Sequence, residues 1–327
     1  MATYLVTGTA GFIASRVASL LLADGHTVVG VDNLNEAYDV RLKQWRLAQL
    51  QKLANFEFHH QDITDRKAIS ALFELPRAEP FSGVINLAAR AGVRSSVLDP
   101  WAYYETNTTG TLNLLELCRH HDVKKLVLAS TSSIYGQDNP MPSQEDQDTS
   151  RPLSPYTASK KAAETLSYTY HYLYGLDITV FRYFTVYGPA GRPDMSLFRF
   201  TQWISEGHPV RVFGDGLQSR DFTYVDDIAR GTIAGLKPLG YEIINLGSDV
   251  PIVLMDAIHL VEELVGQKAN LLFEPRHSAD VPASWADISK AERLLGWRPQ
   301  FTFHQGVANL VSWYNEHREW ASQLKTG

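Results

Sequence analysis

A doubly wound α/β fold is what this sequence predicts: a parallel sheet with helices on both faces, followed by a smaller α/β unit. Three observations carry that expectation. A short apolar run at residues 3–6 meets a Gly-rich turn and then a helical pattern. Apolar runs then alternate with helical stretches as far as residue 182, the order that builds parallel sheets through crossover helices. Finally, Gly8, Asp32, Ala88, Thr131 and Tyr156 all fall at or after the carboxyl ends of predicted strands, where open α/β sheets bind ligands.

The first strand enters Thr7-Gly8-Thr9-Ala10-Gly11-Phe12-Ile13-Ala14, and Val17, Leu20, Leu21 and Leu22 mark the helix beyond it. Gly8 permits a tight turn and Gly11 lets the backbone approach a pyrophosphate. The helix start at Phe12 and Ile13 supplies N–H donors and a favourable dipole. Gly25-His26 closes the helix, and residues 27–31 form a second strand that Asp32 ends. A carboxylate there accepts hydrogen bonds from an adenosine ribose and repels a 2′-phosphate, which favours NAD over NADP. These are the marks of a Rossmann unit.

Residues 33–53 begin polar and turn helical. A third strand at 56–58 ends near Asp62-Ile63, where Asp62 either meets the adenine amino group or caps a helix over 66–73. Residues 83–87 form a fourth strand, and the small Ala88-Ala89 behind it suit close packing against a dinucleotide. A helix over 101–119 leads to a fifth strand at 125–128, which enters Thr131-Ser132-Ser133. Residues 138–155, with four prolines and many acids, are expected to be an exposed loop. In the next helix, 156–174, Tyr168, Tyr170, Tyr172 and Tyr174 alternate too fast for one face, so some must be exposed or lie in an interface. A sixth strand covers 178–182. Beyond it the pattern loosens, with short strands at 210–213 and 243–247 and a mostly helical end. The expected division is a cofactor domain over 1–182 with a return near 221–248, and a substrate domain over 183–220 and 249–327.

Tyr156 and Lys160 stand one helical turn apart on one face. A Tyr hydroxyl titrates near 10 unperturbed and is a useful base only if that value falls. A cation roughly 5 Å away, at an effective dielectric of about 20, favours the phenolate by about 3 kcal/mol, or roughly 2 pKa units. On this reading Lys160 brings Tyr156 to about 8.

Composition bounds the rest. The chain has 327 residues, of which 44% are hydrophobic and 20% charged, and a net charge of -6. That charge gives no support for nucleic-acid binding through a basic surface. Cys118 is the single cysteine, so no internal disulfide forms and a reducing, cytoplasmic setting is expected. No signal peptide is expected, since the chain goes straight into the first strand, and no apolar run approaches the roughly 20 residues of a membrane span. The eleven histidines show no metal-ligand spacing, so no metal is implied.

Taken together, Thr7-Gly8-x-x-Gly11-Phe12-Ile13, Asp32-Asn33-Leu34, Asn86-Leu87-Ala88-Ala89, Tyr135-Gly136, Tyr156-x-x-x-Lys160 and Arg220-Asp221-Phe222 resemble the extended short-chain dehydrogenase/reductases that act on nucleotide sugars. The likeness covers nearly the whole chain. Asp32-Asn33-Leu34-Asn35 with Tyr38-Asp39, Ala91-Gly92-Val93-Arg94, and Phe184-Thr185-Val186-Tyr187-Gly188-Pro189 with Gly191-Arg192-Pro193-Asp194-Met195 look most like UDP-glucuronate 4-epimerases. The pattern departs at Ala14 (a third glycine in the family), at Arg90 (often Gln) and at His277-Ser278-Ala279-Asp280 (often Arg-Pro-Gly-Asp). The segment 235–243 is also shorter than in glucuronate enzymes, which leaves room for a neutral hexose.

The resemblance implies NAD-dependent epimerisation of a UDP-sugar at C4, UDP-glucuronate to UDP-galacturonate, through a transient 4-keto sugar. The alternatives are UDP-glucose or UDP-N-acetylglucosamine 4-epimerisation, or an oxidoreductase that releases NADH. It implies Tyr156 as base, with Lys160 and Thr131 as its catalytic partners. Cofactor contacts would come from Gly8, Gly11, Phe12, Ile13, Asp32, Asn33, Asp62, Ile63, Leu87, Ala88, Ala89, Tyr156, Lys160 and Tyr183. Substrate contacts would come from Ser132, Ser133, Thr185, Arg192, Arg211, Arg220 and Asp280. Sugar 4,6-dehydratases carry an Asp-Glu pair after the Thr, and UDP-glucuronate decarboxylases a Glu at the Ser133 position. Serines there cannot do that acid–base work. A homodimer through the helices 101–119 and 156–174 is the family-based expectation.

Overall fold

The computed structural model describes residues 1–77, 80–276 and 281–326. Twelve strands run in chain order among these residues: β1 (Thr3–Thr7), β2 (Thr27–Asp32), β3 (Phe56–His60), β4 (Phe81–Asn86), β5 (Lys125–Thr131), β6 (Asp177–Tyr183), β7 (Thr185–Tyr187), β8 (Pro209–Phe213), β9 (Ser219–Tyr224), β10 (Tyr241–Leu246), β11 (Pro251–Val253) and β12 (Asn270–Glu274). Seven of them form one sheet in the order β10-β6-β5-β4-β1-β2-β3. Every pair in it is parallel. The chain reverses its direction of travel across the sheet between β1 and β4, which opens a crevice at the carboxyl edge.

Helices cover both faces. The first seven are α1 (Phe12–Ala23), α2 (Val40–Leu50), α3 (Arg66–Glu74), α4 (Val93–Leu98), α5 (Pro100–Tyr104), α6 (Gly110–His120) and α7 (Pro155–Tyr174). They are followed by α8 (Ser196–Ser205), α9 (Val225–Ala234), α10 (Leu254–Val265), α11 (Ser289–Leu295) and α12 (Phe303–Glu316). Side chains alternate along a strand, and both faces of this sheet are covered, so its strands read as unbroken apolar runs. Val6, Val28, Ile85 and Val127 pack with α1 and α9, while their neighbours Leu5, Val29, Val84 and Leu126 pack with α3, α6 and α7. A third core joins β7, β8 and β9 to α8, α10 and α12 through Phe198, Trp203, Val212, Ile258, Leu310 and Tyr314.

Several local expectations change. The helix expected over 101–119 is α5 and α6 joined by a π-helical turn, Glu105–Thr109. Helix α4 and strands β9 and β12 were not evident from pattern alone. Asp65, not Asp62, caps α3, accepting from the Lys67 and Ala68 amides at 3.1 and 3.0 Å. Of the alternating tyrosines, Tyr170 is buried while Tyr168, Tyr172 and Tyr174 are exposed.

The 138–155 segment is not simply exposed, because Ser143, Thr149 and Ser154 are buried. Ser143 pairs with the Trp285 carbonyl at 2.9 Å, and the Glu145 carboxylate accepts the Asn245 amide at 2.8 Å. Beneath the segment lies a buried ion pair, Arg182–Glu164, at 2.9 Å. Ser130 donates to Glu164 at 2.6 Å, and Arg182 also donates to the Glu145 carbonyl at 3.1 Å. Removing one partner of such a pair strands a buried charge. Glu164→Leu is expected to cost about 3–5 kcal/mol in urea denaturation, and adding Arg182→Met is expected to recover most of that loss.

Candidate active site

The cofactor side begins at Gly8, whose φ of +72° is left-handed. A Cβ there would sit 2.8 Å from the Ala88 amide nitrogen, so the turn lies directly against the end of β4. A Cβ at Gly11 would meet the Gly8 carbonyl at 2.7 Å. Gly11 has no side chain to cap α1, and the first turn of that helix carries no acid. The Phe12 and Ile13 amides and the positive end of the helix dipole are therefore available to an anion. Asp32, buried at the end of β2, accepts from the Ala10 amide at 3.1 Å and the Leu34 amide at 2.8 Å, one on each oxygen. Each oxygen keeps a further lone pair for a ribose hydroxyl. Asn33 donates to Asp62 at 2.5 Å, and Asp62 also accepts from the Thr64 amide and hydroxyl, both at 2.8 Å. Ile63 is buried, and its carbonyl accepts from Asn113 at 2.9 Å. A side-chain-free cradle, an open helix start and a carboxylate at the second strand fit a dinucleotide with a free 2′-hydroxyl, which is NAD.

A buried polar relay then sets the far wall. Thr7 donates to Asn86 at 2.8 Å and accepts from the Ala88 amide at 3.1 Å. Asn86 donates to Thr111 at 3.0 Å, and Thr111 donates to the Asn107 carbonyl at 2.7 Å. Asn107 holds the Arg90 main chain from both sides, at 2.9 and 3.0 Å, and donates to Ser159 at 2.9 Å. Ser159 donates to the Tyr156 carbonyl at 2.7 Å. The π-helical turn aims Asn107 at these partners. Sequence reading missed Asn107, although the polar run Glu105-Thr106-Asn107-Thr108-Thr109 inside an otherwise apolar helix was a usable signal. The methyl group of Ala14, where the family has glycine, is buried in the core between α1 and the sheet.

Thr131 ends β5, paired in register with Tyr183 of β6. Its hydroxyl accepts from the Ser133 amide at 3.2 Å, which starts a 3₁₀ turn, Ser132–Tyr135. Tyr156 lies in the first turn of α7, which Ser154 caps at 3.2 Å. Burial pushes the Tyr156 hydroxyl above its ordinary value, while the Thr131 hydroxyl and the Arg192 charge favour its phenolate. The Tyr103 ring stands edge-on to Tyr156 at 6.0 Å. Lys160, 4% exposed, donates to the Ala129 carbonyl at 2.8 Å. Burial brings its ammonium down to about 8, against the pull of Glu164. The lowering expected from the sequence is not what the protein's own groups give: burial outweighs the Thr131 and Arg192 contributions, and the Tyr156 hydroxyl stays above its ordinary value.

Arg192 is bound to Asp194 at 3.0 and 2.5 Å and to the Ala91 carbonyl at 3.3 Å. It shares a narrow cavity with Phe12, Thr185, Gly188 and Gly191. Ser132 and Ser133 are half-buried directly after Thr131. Three other predicted site residues have partners within the protein. The Tyr183 side chain turns into the core, bonded to Thr232 at 2.8 Å, so any part it plays at the cofactor falls to its main chain. Arg211 forms a two-point ion pair with Glu274 at 2.6 and 2.9 Å. Arg220 donates to the Ser219 and Pro282 carbonyls at 2.7 and 3.4 Å. Asp280, with His277, lies outside the described residues. Among the described residues there is no cluster of three or more His, Cys, Asp or Glu that could hold a metal ion, and no helix is long and apolar enough to cross a membrane.

A Gly-rich cradle, an acid at the second strand and a Tyr–Lys pair at the switch point define a nicotinamide-dinucleotide enzyme of the Rossmann class. The chain belongs to the NAD-dependent epimerase/dehydratase family, whose model matches residues 4–247. It is 58% identical to the UDP-glucuronate 4-epimerase of Thermodesulfobacterium geofontis, over 99% of this chain and 100% of that one. The solved UDP-glucuronic acid 4-epimerase of Bacillus cereus, in complex with UDP-glucuronic acid and NAD, superposes with a TM-score of 0.90 at 36% identity, covering 96% of this chain and 99% of that one. The UDP-glucose 4-epimerase of Thermotoga maritima, solved with UDP-glucose, gives a TM-score of 0.88 at 32% identity, covering 97% and 99%.

The depressed Lys160 value has a thermodynamic signature. Its folded value, about 8, lies below the unfolded value of about 10.4, so between these pH values the unfolded chain holds a proton that the folded one does not. Stability therefore rises with pH across that window and carries the full penalty below it. Measured against Lys160→Met, the parent is expected to gain on the order of 2–3 kcal/mol from pH 8 to pH 10. A flat difference would show that the ammonium is not destabilised by burial.

Proposed function

We propose that this protein is an NAD-dependent UDP-sugar 4-epimerase that interconverts UDP-glucuronate and UDP-galacturonate. The observation that carries this reading is the end of β5, where Thr131 stands at Tyr156 and is followed by two serines rather than by acids. Hydroxyl groups can hold a sugar there but cannot eliminate water from it.

The steps for this chain's residues follow. Tyr156, as phenolate, accepts the proton of the 4-hydroxyl, and Thr131 hydrogen-bonds the same oxygen. NAD bound in this cradle would supply the hydride acceptor, and then the donor, for C4. The keto sugar turns over so that the opposite face of C4 is presented, and Tyr156 gives its proton back to the C4 oxygen. Lys160 holds the nicotinamide ribose, and Gly8, Gly11, Phe12 and Ile13 the diphosphate. Asp32, Asn33 and Asp62, with the main chain at Ile63, take the adenosine half. Leu87, Ala88 and Ala89 pack along the dinucleotide, and the Tyr183 main chain meets it at β6. A 4-keto glucuronate is a β-keto acid that loses CO2 when its carboxylate bond aligns with the carbonyl π system. In this reading Ser132, Ser133, Thr185 and Arg192 pin that carboxylate out of alignment, with Arg192 suited to it as a guanidinium. Arg211, Arg220 and Asp280 serve the UDP. In this division of labour residues 1–182, with the return near 221–248, hold NAD, while 183–220 and 249–327 close on the UDP-sugar.

The protein is expected to work as a cytoplasmic homodimer. Its one cysteine is buried and unpaired. Exposed apolar side chains gather on α4, α5 and α7, among them Leu98, Trp101, Tyr172 and Leu173. Sedimentation is expected to report twice the chain mass, and Trp101→Glu to shift it toward one chain; a parent already at one chain mass refutes the dimer.

Incubation with UDP-glucuronate, UDP-glucose and UDP-N-acetylglucosamine in turn, with products resolved by chromatography, decides the substrate. The C4 epimer of UDP-glucuronate is expected. No epimer from any of the three refutes the reading, and stoichiometric absorbance at 340 nm with added NAD would place the protein among NADH-releasing enzymes instead. Tyr156→Phe is expected to lower turnover by at least about a hundredfold while NAD stays bound.

A further inference from the structure

The Tyr38-Asp39 pair stands out in the sequence, yet the chemistry above uses neither residue. Asp39 caps α2 through the Arg41 amide at 3.2 Å, pairs with the Arg41 guanidinium, and accepts the Lys325 amide at 3.1 Å, which fastens the C-terminal segment. Tyr38 is placed differently. Three cations surround its ring: Lys43 Nζ lies 5.1 Å from the centroid, and the Arg46 and Arg192 guanidinium carbons each lie 5.6 Å from it. Its hydroxyl accepts from Arg46 at 2.7 Å. Like charges this close repel strongly once burial removes water, and the negative face of an aromatic ring offsets that repulsion.

Arg46 is 2% exposed and has no carboxylate partner among the described residues. Its donors go to carbonyls instead: Ala10 at 3.0 Å, Ala190 at 2.9 and 2.7 Å, and Gly191 at 3.2 Å. Ala10 belongs to the cofactor turn, whereas Ala190 and Gly191 belong to the turn that carries Arg192. The cation cluster thus spans the two loops that must meet around NAD and substrate, and the Tyr38 ring touches all three of its members. From Arg192 the connection continues through the Ala91 carbonyl to the wall beside Tyr103 and Tyr156.

We propose that Tyr38 is a positioning residue whose ring clamps Lys43, Arg46 and Arg192 together, so that Arg192 is held toward Tyr156 and the Gly-rich turn is locked to the 188–195 turn. Its kinetic consequence rests on the reading of Tyr156 as the base. The groups facing that hydroxyl are Thr131 from β5, Tyr103 from α5 and Arg192 from the 188–195 turn, while Lys160 on the same helix is engaged by Ala129. Displacement of the Arg192 guanidinium makes the phenolate harder to form, which moves the acid limb of kcat to higher pH.

The test compares Tyr38→Leu and Tyr38→Phe in the NAD-loaded protein. In hydrogen–deuterium exchange, Tyr38→Leu is expected to speed exchange several-fold in peptides covering 8–13 and 188–195 together, with the sheet unchanged. Tyr38→Phe keeps the ring and is expected to restore most of that protection. Turnover of Tyr38→Leu is expected to fall by about tenfold, with KM altered less than about threefold and the acid limb displaced upward. Tyr38→Phe is expected to bring the limb back. Unchanged exchange in the two turns, or faster exchange spread evenly through the sheet, overturns the proposal. If Tyr38→Leu does not fold, Arg46→Met removes the other end of the clamp and must give the same paired signature. Exchange needs no turnover, so an inactive parent would refute the epimerase reading while the clamp is still decided by the exchange result.

Discussion

A contact that leaves no room for a methyl group governs this molecule: the backbone of Gly8 against the backbone of Ala88. It lies where the sheet reverses its order, between β1 and β4, and it fixes the floor of the cleft. The Thr7 hydroxyl spans the same gap and begins the relay through Asn86, Thr111, Asn107 and Ser159 to the start of α7. The Gly-rich turn and the helix that carries Tyr156 are thereby parts of one hydrogen-bonded unit. A catalytic hydroxyl and a hydride acceptor must meet within a few tenths of an ångström, and a continuous buried relay is a direct way to hold that distance.

Charge is distributed around this unit in a way that spacing alone does not convey. Lys160 donates its ammonium to the Ala129 carbonyl and is lowered by burial, while at Tyr156 burial outweighs the Thr131 hydroxyl and the charge of Arg192, which is remote in sequence. Deeper in, Glu164 lies one turn beyond Lys160 and is committed to Arg182 and Ser130. The face of α7 that carries the chemistry thus continues into a buried ion pair that supports it from below. Arg182 also fastens the 138–155 segment, so the strand end, the helix and the overlying loop share one anchor.

Much of the fold and part of the site was legible in the sequence, because the signals involved are local. A strand, a turn needing glycine and a helix start sit within about a dozen residues, and Asp32 follows at the next strand end. The parallel sheet follows from apolar runs covered on both faces. What escaped depends on distant pairings. Arg46 finds carbonyls far along the chain, Arg182 finds Glu164, and the burial of Ser143 is decided by Trp285. The orientation of Lys160 and the inward turn of Tyr183 are rotamer choices set by neighbours from other strands and helices. Asn107 lies between these cases: its polar run was visible, but the π-helical turn that aims it is a property of the folded helix.

The last strand of the large sheet comes late in the chain. β10 pairs with β6 along its full length, yet residues 184–240 separate them, and these residues supply the β7, β8, β9 and α8 part of the third core in between. During synthesis β6 is an apolar, unpaired edge for several seconds, at about 5–20 residues per second. Such an edge is a template for mispairing between nascent chains. The Arg182 guanidinium near its carboxyl end, matched by the earlier-made Glu164, which Ser130 also holds, puts a committed polar anchor on that bare strand before its partner is made.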